Sequence, residues 1–128
     1  DEVAVAAELA DMRRKMAAEQ ETRGDADSIK HRPGGLVDIE FVAQLGVLSS
    51  ARLYPRVIRA TGTAAQVTEL EAIGWLSPED AAELANTEKD LRQHKMMAAL
   101  ERNPGKALTD TRGSARICAE KLRMDRDE

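Results

Sequence analysis

The hydrophobic and polar positions of this chain recur with the period of an α-helix. In the first segment Val5, Leu9, Met12 and Met16 follow one another at spacings of three and four residues, which predicts one apolar helix face. Short segments rich in Gly and Pro interrupt the pattern and separate the helices. The pattern predicts five helices, at residues 1–22, 36–52, 63–74, 77–101 and 111–123, with a loop at 23–35.

The second predicted helix has hydrophobic residues on nearly all of its sides, from Leu36 to Leu48. A helix that is apolar all round is normally buried among others, so we expect it to be central in its domain.

Polar residues mark the starts of the next two helices. Thr63 and Gln66 have the spacing of a capping box, in which a hydroxyl and an amide bond the first backbone N–H groups. Ser77 and Pro78 have the order of an N-cap and a first helical residue.

Composition supports a single domain without a sheet. Aromatic residues make up only 2% of the chain, whereas good helix formers such as Ala, Leu and Glu are abundant. The 128 residues are enough for one core. We therefore predict an all-α fold, an antiparallel bundle of about five helices over residues 1–128. The chain begins with Asp1 rather than Met, so we expect it to be a fragment of a larger protein.

Charge and cysteine usage exclude several classes of protein. The net charge is −4 and the charges are mixed, so we expect no nucleic acid as partner, and the triplet Arg13–Lys15 fits a solvated helix face. No apolar run reaches the roughly 20 residues that span a membrane. The single cysteine, Cys118, excludes an internal disulfide and favours a reducing, cytoplasmic compartment. We expect Cys118 to be a buried, small apolar residue.

The candidate chemistry lies in the loop before the second helix. Gly34 and Gly35 allow positive φ and a close approach to a ligand or another chain. They lead into a helix N-terminus, which favours anions, and Lys30, His31 and Arg32 place positive charge beside it. This arrangement is suited to phosphate, although a Gly-Gly turn before a helix is also common without any function.

Two acidic residues follow this loop. Asp38 and Glu40 are two positions apart, so on a helix they point about 200° apart and cannot act as a side-by-side pair. Because the helix is apolar on so many sides, at least one of them must face inward or toward a partner. The other possibility is that they only complement the helix dipole. His94 has no second His or Cys at ligand spacing and is interpreted as a packed residue.

The run from Pro33 to Phe41, Pro-Gly-Gly-Leu-Val-Asp-Ile-Glu-Phe, resembles a known signature. With Gln44 after it and Asp-Met-Arg-Arg-Lys-Met at 11–16 before it, it is similar to the segment that follows each nucleotidyltransferase domain of the bifunctional glutamine synthetase adenylyltransferase/adenylyl-removing enzymes. The resemblance covers about residues 5–100, and the Asp-Ile-Glu-Phe form favours the adenylylating half.

The resemblance implies a helical domain of the nucleotidyltransferase substrate-binding type, beside a nucleotidyltransferase domain of the same enzyme. That enzyme would transfer AMP from ATP, with Mg²⁺, to a tyrosine of glutamine synthetase and remove it again, with PII as a regulatory partner. The domain would help to form the nucleotide and substrate cleft. Its candidate nucleotide or domain-interface residues are Lys30, Arg32, Gly34, Gly35, Asp38 and Glu40.

The chain has no strand-like region and no Gly-Ser motif with a carboxylate set, which two-metal phosphoryl chemistry requires on a rigid platform. We therefore expect the fragment alone to be inactive, with no catalytic residue, no metal site and no bound cofactor. Two other functions stay open. The first alternative is a non-catalytic helical interaction module that binds glutamine synthetase or PII. The second is a domain of the related PII uridylyltransferase, which has a similar Gly-Gly loop.

Overall fold

The computed structural model describes residues 2–23, 32–101 and 109–122. These residues form five α-helices and one 3₁₀ helix, and no strand occurs among them. The prediction of an all-α bundle is therefore confirmed. The elements are α1 (Glu2–Arg23), α2 (Leu36–Ser50), a 3₁₀ helix (Pro55–Arg59), α3 (Thr63–Ala72), α4 (Pro78–Glu101) and α5 (Arg112–Leu122).

Each of the five α-helices begins and ends within two residues of the expected bounds. α2 ends at Ser50, two residues before the expected bound, and the Ser50 carbonyl accepts the N–H groups of Leu53 and Tyr54 at 3.1 and 2.8 Å. The connection after it contains the 3₁₀ helix, which begins at Pro55. Of the predicted loop 23–35, Arg23 belongs to α1, and residues 24–31 lie outside the described residues.

α2 lies at the centre of the bundle, as its apolar sequence predicts. It packs against α1, α3, α4, α5 and the 3₁₀ helix. Ile39 and Val42 of α2 are fully buried, and they join a core to which the other α-helices contribute. Representative members from the other helices are Leu9, Leu70, Leu84, Leu91 and Ile117.

The core-facing side of α1 differs from the predicted stripe. Met12 is 51% exposed, whereas Arg13 is only 2% exposed. The interpretation of the Arg13–Lys15 triplet as a solvated face is therefore wrong for Arg13, which faces the core with Leu9, four residues earlier. The physical reason is a buried carboxylate on α2 that meets the Arg13 guanidinium.

Of the two N-cap predictions, the one for α4 is correct and the one for α3 is wrong. Ser77 Oγ accepts the N–H of Asp80 at 3.0 Å, so Ser77 caps α4 as predicted. The Thr63 capping box is wrong, because Gly62 is the N-cap of α3 with no side-chain bond, and its carbonyl accepts the Gln66 N–H at 3.1 Å. Gly62 has a φ of +89°, a conformation that suits glycine and moves Thr63 into the helix.

α3 ends in a Schellman motif. Gly74 has a φ of +83° and donates its N–H to the Glu71 carbonyl at 3.0 Å. Trp75 donates its N–H to the Leu70 carbonyl at 2.9 Å, which completes the motif. The chain thereby reverses sharply into α4.

Candidate functional site

The Asp38 carboxylate is buried in the third position of α2 and is 5% exposed. One of its oxygens accepts a bond from Arg13 Nε, which comes from α1. The other accepts the backbone N–H of Gly34 at 2.7 Å. A single side chain thus connects α1, α2 and the loop that precedes α2.

Gly34 is held against the first turn of α5. Ser114 Oγ donates to the Gly34 carbonyl at 2.8 Å. Gly34 has a φ of +72°, and a Cβ added there would lie 2.4 Å from the Ala115 backbone nitrogen and 2.7 Å from the Thr111 carbonyl oxygen. Both neighbours are backbone atoms, so the close approach requires glycine at this position.

Gly35 has an ordinary backbone conformation, with a φ of −81°. It is the N-cap of α2, and its carbonyl accepts the Ile39 N–H at 3.0 Å. Its own N–H donates to the Arg32 carbonyl at 2.8 Å. The positive φ made possible by the Gly-Gly pair is therefore used at Gly34, and Gly35 begins the helix.

Asp38 and Glu40 point to different environments, as their spacing predicts. Asp38 faces inward, and Glu40 is exposed on the surface of α2. Arg32 is half-buried beside the loop. Lys30 and His31 lie outside the described residues. The structure thus brings Arg32, Gly34, Gly35 and Asp38 together at the start of α2 and leaves Glu40 accessible.

Cys118 lies on the α5 side of this cluster. It is buried, and its Sγ is 3.9 Å from Ser114 Oγ. Burial and the negative charge of Asp38 raise the pKa of the Cys118 thiol to about 12, against smaller opposing effects of Ser114 and Arg13. A thiol of this kind is not a nucleophile at neutral pH. The prediction that Cys118 is a buried small residue is confirmed.

Sequence reasoning missed two residues of this cluster, Arg13 and Ser114. Arg13 is 25 positions from Asp38, and Ser114 is 80 positions from Gly34. The usable signal for Arg13 was its place four residues after Leu9, on the same helix face. Ser114 carries no comparable local signal.

The described residues contain no group of three or more His, Cys, Asp or Glu side chains that could hold a metal ion. His94 is half-buried and lines an open groove of about 280 Å³ with Asp90, Gln93, Met97 and Thr109. Among the described helices, none is both long and apolar enough to cross a membrane.

The cluster around Gly34 is suited to positioning rather than to chemistry. Its carboxylate is bonded to its own chain, and its thiol is protonated. A buried ion pair and a glycine that tolerates no Cβ fix the backbone of the loop relative to α1, α2 and α5. Such support from surrounding side chains is what a precisely placed binding surface requires.

Comparison with known proteins gives one family match and a group of relatives. The family described as GlnD PII-uridylyltransferase matches residues 10–112. Several curated relatives are named bifunctional glutamine synthetase adenylyltransferase/adenylyl-removing enzyme. The relative from Burkholderia mallei is 35% identical over 98 residues, which are 75% of this chain and 11% of that protein.

Two further relatives have the same name. The relative from Xanthomonas campestris pv. campestris is 37% identical over 95 residues, 73% of this chain and 10% of that protein. The relative from Xanthobacter autotrophicus is 42% identical over 77 residues, 60% of this chain and 8% of that protein. The chain thus spans about a tenth of the length of the curated relatives it matches. No solved structure matches it significantly.

Proposed function

Because the chain belongs to the GlnD PII-uridylyltransferase domain family and is homologous to bifunctional glutamine synthetase adenylyltransferases, we propose that it is the helical accessory domain of such an adenylyltransferase. In this proposal the enzyme transfers AMP from ATP to a tyrosine of glutamine synthetase and removes it again. The helical domain forms one wall of the nucleotide and substrate cleft. The enzyme acts in the cytoplasm, under control of the PII regulator.

The bonds that hold the Gly34 loop to side chains of α2 and α5 are the observation that carries this proposal. Asp38 bonds both the Gly34 N–H and Arg13, and Ser114 bonds the Gly34 carbonyl. Arg13, Gly34 and Asp38 all lie in the segment matched by the family. A cleft wall has to hold its position while substrate binds, since small displacements of a positioning group reduce the rate strongly.

The accessible groups beside this loop are the proposed contacts. Glu40 is exposed on α2, and Arg32 is half-buried at the loop. We assign Glu40 to a bond across the interface with the nucleotidyltransferase domain. We assign Arg32 to the side that faces nucleotide phosphates, because the N–H groups of Gly34 and Gly35 are already bonded to Asp38 and to the Arg32 carbonyl. Lys30, expected from the sequence to share this role, lies outside the described residues. Asp38 holds the loop backbone in place through its bond to the Gly34 N–H. The Asp-Ile-Glu-Phe run supports assignment to the adenylylating half.

The required Mg²⁺ and ATP do not fit the described residues of this chain as ligands. No metal-binding group of three or more side chains occurs among them, and both Asp38 oxygens are bonded to Arg13 and Gly34. In the proposal the metal and the triphosphate are therefore held by the separate nucleotidyltransferase domain.

A second candidate function is supported by the description of the matching family. That description names PII-uridylyltransferase, so the same domain could serve an enzyme that transfers UMP to PII. The relatives named adenylyltransferase favour the first assignment. The two candidates differ in nucleotide and in acceptor protein, so one labelling experiment separates them.

The experiment uses the full-length protein that carries this domain, with Mg²⁺ and either α-labelled ATP or α-labelled UTP. We expect label from ATP on glutamine synthetase and none from UTP on PII. The isolated 128-residue chain should label neither acceptor. Label from UTP on PII would replace the first candidate by the second, and label transferred by the isolated chain would overturn the accessory role.

A second measurement tests Glu40 in the full-length protein. Loss of a charge-assisted hydrogen bond costs about 1.5–3 kcal/mol, so Glu40→Gln should lower the AMP-transfer rate roughly ten- to a hundredfold. Because Glu40 is exposed in the isolated 128-residue chain, the melting temperature of that chain should not change. Glu71→Gln, at an exposed position on α3, is the matched control and should keep the full rate. Equal rates for both variants would remove Glu40 from the interface.

A further inference from the structure

Exposed hydrophobic side chains gather at the end of α2 that is opposite the Gly34 loop. Seven large hydrophobic side chains are exposed in the described part of the chain, and four of them lie between positions 48 and 58. These four are Leu48, Leu53, Tyr54 and Ile58. Leu53 is 78% exposed and Ile58 is 63% exposed. Single exposed hydrophobics are ordinary, whereas a group of them marks a surface that another molecule covers.

An apolar groove lies beside this group, between α2 and α3. It has a volume of about 270 Å³ and is lined by Gln44, Val47, Leu48 and Gln66. Val47 and Leu48 provide an apolar floor. Gln44 and Gln66 carry side-chain amides, each of which can donate and accept hydrogen bonds. This combination suits a polypeptide, whose backbone needs both kinds of partner.

A basic groove lies between α3 and the 3₁₀ helix. It has a volume of about 320 Å³ and is lined by Arg56, Arg59, Ala60, Ala65, Thr68 and Glu69. Arg56 Nε donates to Glu69 at 2.7 Å. Arg52 and Arg59 are exposed, and among the residues described here no ion pair includes either of them. This local positive charge contrasts with the chain's net charge of −4.

Both grooves are lined in part by residues of α3. Gln66 of α3 lines the apolar groove, while Ala65 and Glu69 of α3 line the basic groove. We propose that this surface, the α2–α3 face, docks an acidic amphipathic segment of a partner protein. The apolar side of the segment fills the groove at Leu48 and covers Leu53 and Ile58. Its carboxylates bind Arg52 and Arg59.

Charge complementarity selects this occupant. Exposed arginines beside apolar side chains fit carboxylates that alternate with hydrophobic residues. A nucleic acid would need a broader basic surface than an acidic domain provides. A membrane is disfavoured because the 3₁₀ helix has five residues, far shorter than the amphipathic helices that lie on bilayers. The exposed hydrophobic residues of this face begin at Leu48, about 18 Å along α2 from its first residue Leu36, so they lie away from the Gly34 loop.

The test selects short peptides from a phage-displayed random library against the immobilised 128-residue chain. The enriched peptide is synthesised with a fluorophore, and its Kd is measured by fluorescence anisotropy. We expect the enriched sequences to combine Asp or Glu with Leu or Phe. Binding should weaken at high salt, because exposed charge pairs are screened.

Charge-reversed variants locate the binding. Arg52→Glu with Arg59→Glu should raise the Kd by about tenfold or more, which corresponds to about 1.4 kcal/mol. Lys89→Glu with Lys95→Glu is the matched control, since both lysines are exposed on α4 and the change in net charge is the same. The control should leave the Kd within about twofold. Leu53→Ser with Ile58→Ser should also weaken binding, while Met96→Ser should not.

Several outcomes would overturn the proposal. They are the absence of enriched acidic sequences, equal weakening by both charge-reversed variants, and binding that survives Leu53→Ser with Ile58→Ser. Binding of the chain to anionic phosphatidylglycerol vesicles, reduced by the same arginine changes, would reassign the face to a membrane. Far-ultraviolet circular dichroism of every variant checks that the helical fold is retained. We expect it to be retained, because the changed side chains are all exposed.

Discussion

The buried pair between Arg13 and Asp38 predicts a large loss of stability when its negative charge is removed. Asp38→Asn keeps the size of the side chain and one carbonyl oxygen for the Gly34 N–H. Arg13 is 2% exposed, so water cannot replace the lost carboxylate. Removing one partner of a buried ion pair costs about 3–5 kcal/mol. Because one hydrogen bond is retained, we expect about 3 kcal/mol, the lower end of that range.

The assay is urea unfolding of the 128-residue chain, followed by circular dichroism at neutral pH. A loss of about 3 kcal/mol with a urea dependence of about 2 kcal/mol/M lowers the midpoint by about 1.5 M. The matched control is Asp110→Asn. Asp110 is exposed and ion-paired with Arg112 at 2.9 Å, so solvent screens this pair and the midpoint should hardly move.

A double variant checks the physical reason. Arg13→Met combined with Asp38→Asn removes both charges, and replacing a buried pair by uncharged groups is often nearly neutral. The double variant should therefore be more stable than Asp38→Asn alone. The reasoning would be refuted if Asp38→Asn behaved like Asp110→Asn, or if the losses of the two single variants simply added.

Three further predictions concern individual residues. Gly34→Ala should lower the free energy of unfolding by about 3 kcal/mol or more, because the added Cβ meets the Ala115 backbone. Gly62→Ala is also at positive φ but has open space around its Cβ, so it should cost about 1 kcal/mol. Urea denaturation of the two variants compares these losses. Cys118 should not react with a thiol reagent in the folded chain at pH 8 and should react when urea unfolds the chain. Folding raises the pKa of the Cys118 thiol to about 12. The stability that the protonated thiol contributes is therefore complete below pH about 8.5 and is lost as the pH rises toward 12. Ser77→Ala should lower stability by about 1 kcal/mol through loss of the α4 cap, and an unchanged urea midpoint would contradict that role.

Local patterns were enough to predict the helices and the central position of α2. Helical periodicity and the Gly and Pro breaks are short-range properties, so they are readable without tertiary contacts. The Ser77 cap was predictable for the same reason. The Thr63 cap was not, because Gly62 supplies the required backbone conformation one residue earlier. Propensity alone does not decide between two adjacent caps.

The candidate site was predictable in its location but not in its construction. Glycines and charges identified the loop at Gly34, and the apolar helix predicted that at least one of Asp38 and Glu40 faces inward or toward a partner. Only the structure shows that the inward residue is Asp38. The partners of these residues come from α1 and α5, and such long-range pairs leave no periodic trace in one sequence. A buried arginine is also rare, so a basic triplet is ordinarily interpreted as solvated. That rule is wrong for Arg13 because its guanidinium pairs with the buried carboxylate of Asp38.

The bond from Ser114 to Gly34 also has a consequence for the order of folding. It closes a loop of 80 positions, and such distant contacts form late because their chain entropy must be lost before they stabilise anything. During synthesis α5 leaves the ribosome after the other four helices, so the earlier helices can pack before Gly34 is fixed. We expect Ser114→Ala to accelerate unfolding while barely slowing refolding, with a φ-value of roughly 0–0.3 in stopped-flow experiments. A φ-value near 1 would instead place the docking of α5 within the folding nucleus.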